Sequence, residues 1–228
     1  MNFIKVINGF LILVLLIFLA SCCSKLPGEK FKTVYGDQIS TTYYIELNYY
    51  RDEKVISSIS GSGVAVENKE PGISRILTAG HVCLGNLTII HITPEITIFD
   101  NKGRKYIALI SAFDLENDLC VLDIQGNVPV AKLSKKIPEI NEPVFYTGYP
   151  LGLYAPGIIH RFFGAFSGVE PHGSSVWSFP AVEGSSGSPV YNKNSELIGI
   201  ISSVTMGFPH IVMGPGIEEI LSLLEDAP

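Results

Sequence analysis

Three short stretches hold the side chains that acyl transfer needs. In Leu77-Thr78-Ala79-Gly80-His81-Val82-Cys83 an apolar run passes into small residues and then a histidine. Small neighbours leave an imidazole room to rotate and accept a proton. In Asp114-Leu115-Glu116-Asn117-Asp118-Leu119-Cys120-Val121-Leu122 an acid stands at the mouth of an apolar strand. Asp118 is expected to be partly buried there, with Asp114 and Asp123 as competing carboxylates. Glu183-Gly184-Ser185-Ser186-Gly187-Ser188-Pro189 offers three serines in a small, flexible run. The chain order is His, Asp, Ser. A serine hydroxyl is a weak nucleophile until a base takes its proton. A neutral histidine does so near pH 7, and a buried carboxylate fixes its tautomer and stabilises the imidazolium. The oxyanion that develops needs donors, which a Gly-x-Ser turn supplies from its main chain.

Other chemistries fit less well. An esterase of the α/β-hydrolase type needs G-x-S-x-G, but position 188 is Ser. It also needs the order Ser, acid, His, for which only His210 is available, and an alternation of strands and helices that is absent. The five histidines are scattered and no H-E-x-x-H occurs, so neither a metal nor a cofactor is expected. His91, His160 and His172 read as structural or solvated. Net charge is −6 and no Lys/Arg run exists, which argues against a nucleic-acid partner.

The chain has 228 residues, 46% of them hydrophobic, enough for one domain or two small halves. Short apolar runs rich in β-branched residues follow at close spacing: 55–66, 75–82, 87–99, 105–113, 119–124, 143–150, 188–192 and 196–204. Thr88-Ile90-Ile92 and Tyr106-Ala108-Ile110 alternate with period two, and turns such as Asn101-Lys102-Gly103 separate the runs. This pattern predicts an all-β sandwich or barrel. One amphipathic helix is expected at the end, with Ile217, Ile220, Leu221 and Leu224 on one face. Ahead of the domain, Phe10–Ala20 is an apolar run too short to span a bilayer, which takes about 20 helical residues. It ends Leu19-Ala20-Ser21-Cys22 and resembles a bacterial lipoprotein signal. That resemblance implies lipidation of Cys22 as the first mature residue. The expected location is the bacterial cell envelope, at the outer membrane in a two-membrane host. Cys23, rather than Asp, follows it. Residues 22–42 read as a lipidated tether.

The three stretches resemble the motifs of chymotrypsin-fold serine proteases, in their HtrA-like and V8-like branches: TAGHV (78–82), NDLCVLDI (117–124) and GSSGSP (184–189). SGSGVAV (60–66), TGYPLG (147–152), GAFSG (164–168), SPVYNKNSELIGI (188–200) and MGPGIEEILSLL (213–224) extend the similarity over about 44–226. The resemblance implies two six-stranded antiparallel Greek-key barrels and a C-terminal helix. They would form a protease domain over 43–228, with barrels near 43–130 and 140–213 and the helix near 215–225. It implies a polypeptide substrate, His81 as base, Asp118 as orienting carboxylate and Ser186 as nucleophile, third in Gly-x-Ser-Gly. Gly184 and Ser186 would supply the oxyanion donors. Pro180, Glu183, Ser202, Ser203 and Val204 would meet the substrate. Cys83 and Cys120 each lie two residues past a triad member and so come near each other, which leaves two states open: a disulfide in an oxidising space or two separate buried thiols.

Departures from the family narrow this picture. Ser185 replaces the acid that trypsin-like enzymes use for zymogen activation, so a switch of that type is not expected. Pro180 stands where an acid would select Arg or Lys, and Ile201 where a Glu-specific enzyme has His. A small-to-medium apolar P1 residue is expected instead. No PDZ module is expected after the helix. A lipoprotein of the same fold that binds peptides or a partner without cutting is the alternative. The oligomeric state is not legible.

Overall fold

The computed structural model describes residues 37–85 and 94–227. The signal segment, Cys22, Cys23, most of the tether, His91 and the first part of the 87–99 run lie outside these residues.

Six strands form a closed antiparallel barrel in the order β1-β2-β3-β6-β5-β4. They are β1 (Thr42–Arg51), β2 (Lys54–Glu70), β3 (Ile73–Ala79), β4 (Glu95–Phe99), β5 (Lys105–Asp114) and β6 (Leu119–Gln125). Closure comes from β1 and β4, which pair from Tyr44 opposite Phe99 to Asn48 opposite Glu95. Alternate residues fill the interior, among them Ile45, Leu47, Ile76, Ile98, Leu122 and Ile124. Burying each such side chain contributes roughly 1.5–3 kcal/mol. A Cβ at Gly63 would lie 2.7 Å from Ile45 Cδ1, so glycine lets that wall close over its core. The long β2 bends through irregularities near Ala65–Glu67 and Asn68–Glu70.

The second half is a seven-stranded sheet in the order β11-β10-β7-β8-β9-β13-β12. It contains β7 (Pro143–Gly148), β8 (His160–Val169), β9 (Ser175–Ser178), β10 (Pro189–Asn192), β11 (Leu197–Ile200), β12 (Ser203–Val204) and β13 (Ile211–Gly214). The fold class is the expected one, and this half is a curled, open sheet rather than a second closed barrel. The run expected as one strand over 196–204 is divided into β11 and β12. Trp177, Tyr146, Phe166, Phe179, Val190 and Val212 form its core. Tyr146 stacks on Phe162 with ring centroids 4.9 Å apart.

A one-turn helix α1 (Asp37–Thr41) falls within the stretch read as tether. Its end and the start of β1 are stitched to the second sheet: Thr41 Oγ1 is 3.3 Å from the Tyr191 hydroxyl, and the Thr42 and Thr147 hydroxyls are 2.7 Å apart. A second short helix, α2 (Gly80–Leu84), follows β3. The C-terminal helix α3 (Ile217–Asp226) packs on β5, β6 and β11. Glu219 accepts the Gly216 N–H at its start, and the two glutamates of its first turn suit the helix dipole. Its buried side chains are Ile217, Ile220 and Leu223; Leu221 and Leu224, expected on that face, are half-buried. The face is set by two different surfaces, the barrel wall and β11, which a single periodic stripe does not describe.

Cys83 of α2 and Cys120 of β6 are joined by a disulfide, Cα to Cα 6.5 Å, closing a loop of 37 residues. Chain entropy assigns a crosslink of this span about 4 kcal/mol. Reductant should therefore lower the thermal midpoint of the wild type and leave that of the Cys83→Ser/Cys120→Ser double variant, already lower, unmoved. Equal midpoints for the two proteins without reductant would show that the bridge contributes no stability.

Candidate active site

The first two groups meet because α2 begins against the turn that precedes β6. Gly80 donates its N–H to the Asp118 carbonyl at 2.8 Å. A Cβ on Gly80 would lie 3.0 Å from Asp118 Oδ1 and 3.2 Å from the Asp118 carbonyl carbon, so the approach needs glycine. Asp118 itself has φ 52, a left-handed conformation that Asp tolerates better than most residues. Its carboxylate then accepts the His81 backbone N–H at 2.8 Å and faces His81 Nδ1 at 2.7 Å. With Nδ1–H donating, Nε2 is the free lone pair, so the ring is oriented as a proton acceptor. The Ser202 hydroxyl, from the other half, donates to Asp118 Oδ2 in a short hydrogen bond. Burial alone would raise the Asp118 carboxyl, but the bonds from His81 and Ser202 outweigh it and hold it below its usual range.

The serine loop leaves two donors unused. The Glu183 carbonyl accepts Leu151 N–H at 2.7 Å, and the Ser185 carbonyl accepts Ser188 N–H at 3.0 Å. These carbonyls share peptide units with the N–H groups of Gly184 and Ser186, which therefore face the opposite way. Neither N–H donates to a protein acceptor among the described residues. The Ser186 carbonyl is held from the first barrel by Ser62 N–H at 2.8 Å. Gly187, at φ 80, brings the chain so close that a Cβ would lie 1.9 Å from the Ser62 carbonyl oxygen. The Ser186 hydroxyl lies 3.5 Å from the Ser202 carbonyl oxygen, too long to engage it strongly. Ser202 thus touches both Ser186 and Asp118.

The remaining expected residues are placed as follows. Asp114 accepts the N–H groups of Glu116 and Asn117 and caps that turn, well away from His81 in role. Asp123 sits 3.7 Å from Arg75 Nε and accepts the Ser111 hydroxyl at 3.0 Å. Ser185 is buried, 3.4 Å from the Tyr146 hydroxyl, and Ser188 is fully buried. Pro180 and Glu183 are exposed beside the loop. The Pro180 carbonyl accepts the Tyr146 hydroxyl at 2.9 Å, and burial pushes Tyr146 up to about 12, so this donor stays protonated. Ser203 and Val204 form β12 at the open edge of the sheet. His160 begins β8, His172 lies in an exposed turn, and the His210 ring packs 5.5 Å from Phe208. Sequence reasoning missed Ser62, Tyr146, Leu151 and the Ser202 hydroxyl. All four act across long sequence separations, and no local pattern marks them.

The profile of the trypsin-like peptidase domain matches residues 61–200. No curated protein matches the chain. Among solved structures, the serine endoprotease from Yersinia pestis is similar at TM-score 0.70 and 23% identity, over 86% of this chain. The chain spans 65% of that protease. A protease from M. tuberculosis in its active form is similar at TM-score 0.68 and 16% identity, over 90% of this chain and 88% of its own. At these identities the structures speak for the fold alone.

Because the Asp118 carboxyl titrates lower in the folded chain, its contribution to stability is complete above the unfolded value near ~3.9 and is lost as pH falls through the folded one. The stability gap between wild type and Asp118→Asn should therefore be constant above about pH 5 and shrink below about pH 4. Urea midpoints from pH 7 to pH 2 measure it. A gap that stays constant to pH 2 would contradict the pairing.

Proposed function

The chain belongs to the trypsin-like peptidase domain family, and from that premise we propose that it is a serine endopeptidase working through an acyl-enzyme. Ser186 Oγ attacks the scissile carbonyl carbon while His81 Nε2 takes its proton. The carbonyl oxygen, now negative, is met by the N–H groups of Gly184 and Ser186. The amine leaves with the proton from His81, and water repeats the sequence to free the acid and regenerate Ser186. Asp118 holds the imidazole in the required tautomer throughout. The observation that carries this reading is the contact of His81 Nδ1 with Asp118 Oδ2 at 2.7 Å.

The substrate reading follows from the walls of the cleft. A polypeptide adds as a strand along Ser202, Ser203 and Val204, since β12 has one edge unpaired among the described residues. Pro180 places no charge where the P1 side chain would enter, which supports a small-to-medium apolar P1 residue. Glu183 stands exposed next to the oxyanion donors and disfavours acidic substrates by repulsion. Lipidation at Cys22 would hold this domain at the bacterial envelope.

A fluorophosphonate probe should label the wild type, and Ser186→Ala should abolish labelling. Asp118→Asn should lower kcat by about 10⁴ and His81→Ala by about 10⁶, each with the fold intact. A library profile should favour Ala, Val or Leu at P1. A folded protein that neither labels nor cleaves would leave the peptide-binding reading standing, and a profile dominated by Arg, Lys or Glu would refute the P1 assignment.

A further inference from the structure

We propose that the Cys83–Cys120 disulfide is a positioning element for the proposed base, so that turnover depends on the redox state of the protein; this rests on the serine-peptidase reading above. The bridge joins the two segments that carry the base and its carboxylate, each cysteine standing two residues beyond His81 or Asp118. α2, which carries His81, is a helix of five residues, and its start has no side-chain cap. A single turn of helix does not hold itself together in water, so its place is set by what it is tied to. Two ties bracket His81. Before it, Gly80 N–H donates to the Asp118 carbonyl at 2.8 Å. After it, Cys83 is bonded to Cys120 of β6.

The first tie is also a hinge. A Cβ on Gly80 would crowd Asp118, and the glycine that permits the close approach has the widest choice of backbone angles. Everything after it, imidazole included, can pivot there unless a second point is fixed. Packing supplies part of that: Val82 is fully buried, and a Cβ on Gly61 of β2 would lie 2.8 Å from its methyl carbons. The covalent anchor is the disulfide. It clamps α2 onto the strand that Asp118 leads into, and so holds His81 Nδ1 at 2.7 Å from the carboxylate. A loose hinge widens this separation, and misplacing a reacting group by about 1 Å costs up to about 10²-fold in rate. The cysteines are 1% and 0% exposed, so a reductant meets the bridge only when the region opens. A dithiol thiolate then attacks one sulfur, forms a mixed disulfide and is released as its second thiol closes on the first. The protein S–S bond breaks, Cys83 and Cys120 each gain one electron and one proton, and the dithiol is oxidised to a disulfide.

The test treats the full-length protein with excess dithiothreitol below its reduced thermal midpoint, with folding followed by circular dichroism. Thiols at Cys83 and Cys120 are counted by alkylation and mass. The kcat per site titrated with fluorophosphonate should fall about 10- to 100-fold, in step with the appearance of those two thiols. KM should stay within about twofold, as for a group whose effect is confined to the transition state. Reoxidation should restore kcat. Cys83→Ala/Cys120→Ala should begin at the lower kcat and ignore reductant. The proton between His81 Nδ1 and Asp118 gives a readout that needs no turnover: its low-field resonance should be sharp in the oxidised protein and broadened by exchange with water in the reduced one. A bridge that serves stability alone would lower the number of titratable sites and leave kcat per site and this resonance unchanged, which would overturn the assignment. A folded double variant with wild-type kcat would overturn it too. An oxidised wild type inert to fluorophosphonate and peptides would defeat the peptidase reading alone, because the resonance still reports whether the bridge holds His81 on Asp118.

Discussion

A half-buried carboxylate must find donors, and the whole site is arranged around how Asp118 finds them. Two come from α2, the backbone and the ring of His81; one comes from Ser202 in the other half. A single acceptor filled from both sides fixes the imidazole, sets its tautomer and joins the barrel to the curled sheet. Each donor also stabilises the ionised form against its burial, so charge and geometry depend on the same contacts. Removing any one of them would leave an under-satisfied anion in the seam, which costs more than the lost bond itself.

The serine loop obeys a complementary rule. There the need is for donors that stay unused. Carbonyls of the loop are taken up by Leu151, Ser188 and Ser62, and this leaves the N–H groups of Gly184 and Ser186 without acceptors among the described residues. Glycine at 187 is required because the loop passes within van der Waals distance of β2 at Ser62. The barrel is thus more than a carrier for His81 and Asp118. It also supports, from below, the loop of the opposite half.

What the sequence made legible was local. His81, Asp118 and Ser186 each sit in a short motif whose composition reflects an immediate need for room, a strand mouth or a tight turn. The strands over 54–70, 105–114 and 119–125 followed from β-branched runs bounded by turns. The sequence places the two cysteines near each other, at equal offsets from His81 and Asp118, and leaves open the bridge that the structure shows. The opening of the second sheet was not, since closure depends on how strands far apart in sequence meet. The buried face of α3 shifted to Leu223 because two surfaces share it. Ser62, Leu151 and the bond from the Ser202 hydroxyl to Asp118 were hidden for the same reason: a serine that donates across 122 or 84 residues looks like any other serine.

The open edge at β12 has a further consequence. It is only two residues long, Ser203 and Val204, and what it offers is main-chain hydrogen bonding rather than a deep recess. A chain can add there only if its own main-chain groups are unspent, and in a folded protein nearly all of them are already paired. On the proposed reading the edge would therefore sense the conformational state of what approaches it before any side chain is sampled. Natively folded neighbours would be passed over, while extended tails, linkers and unfolded chains would present the missing strand.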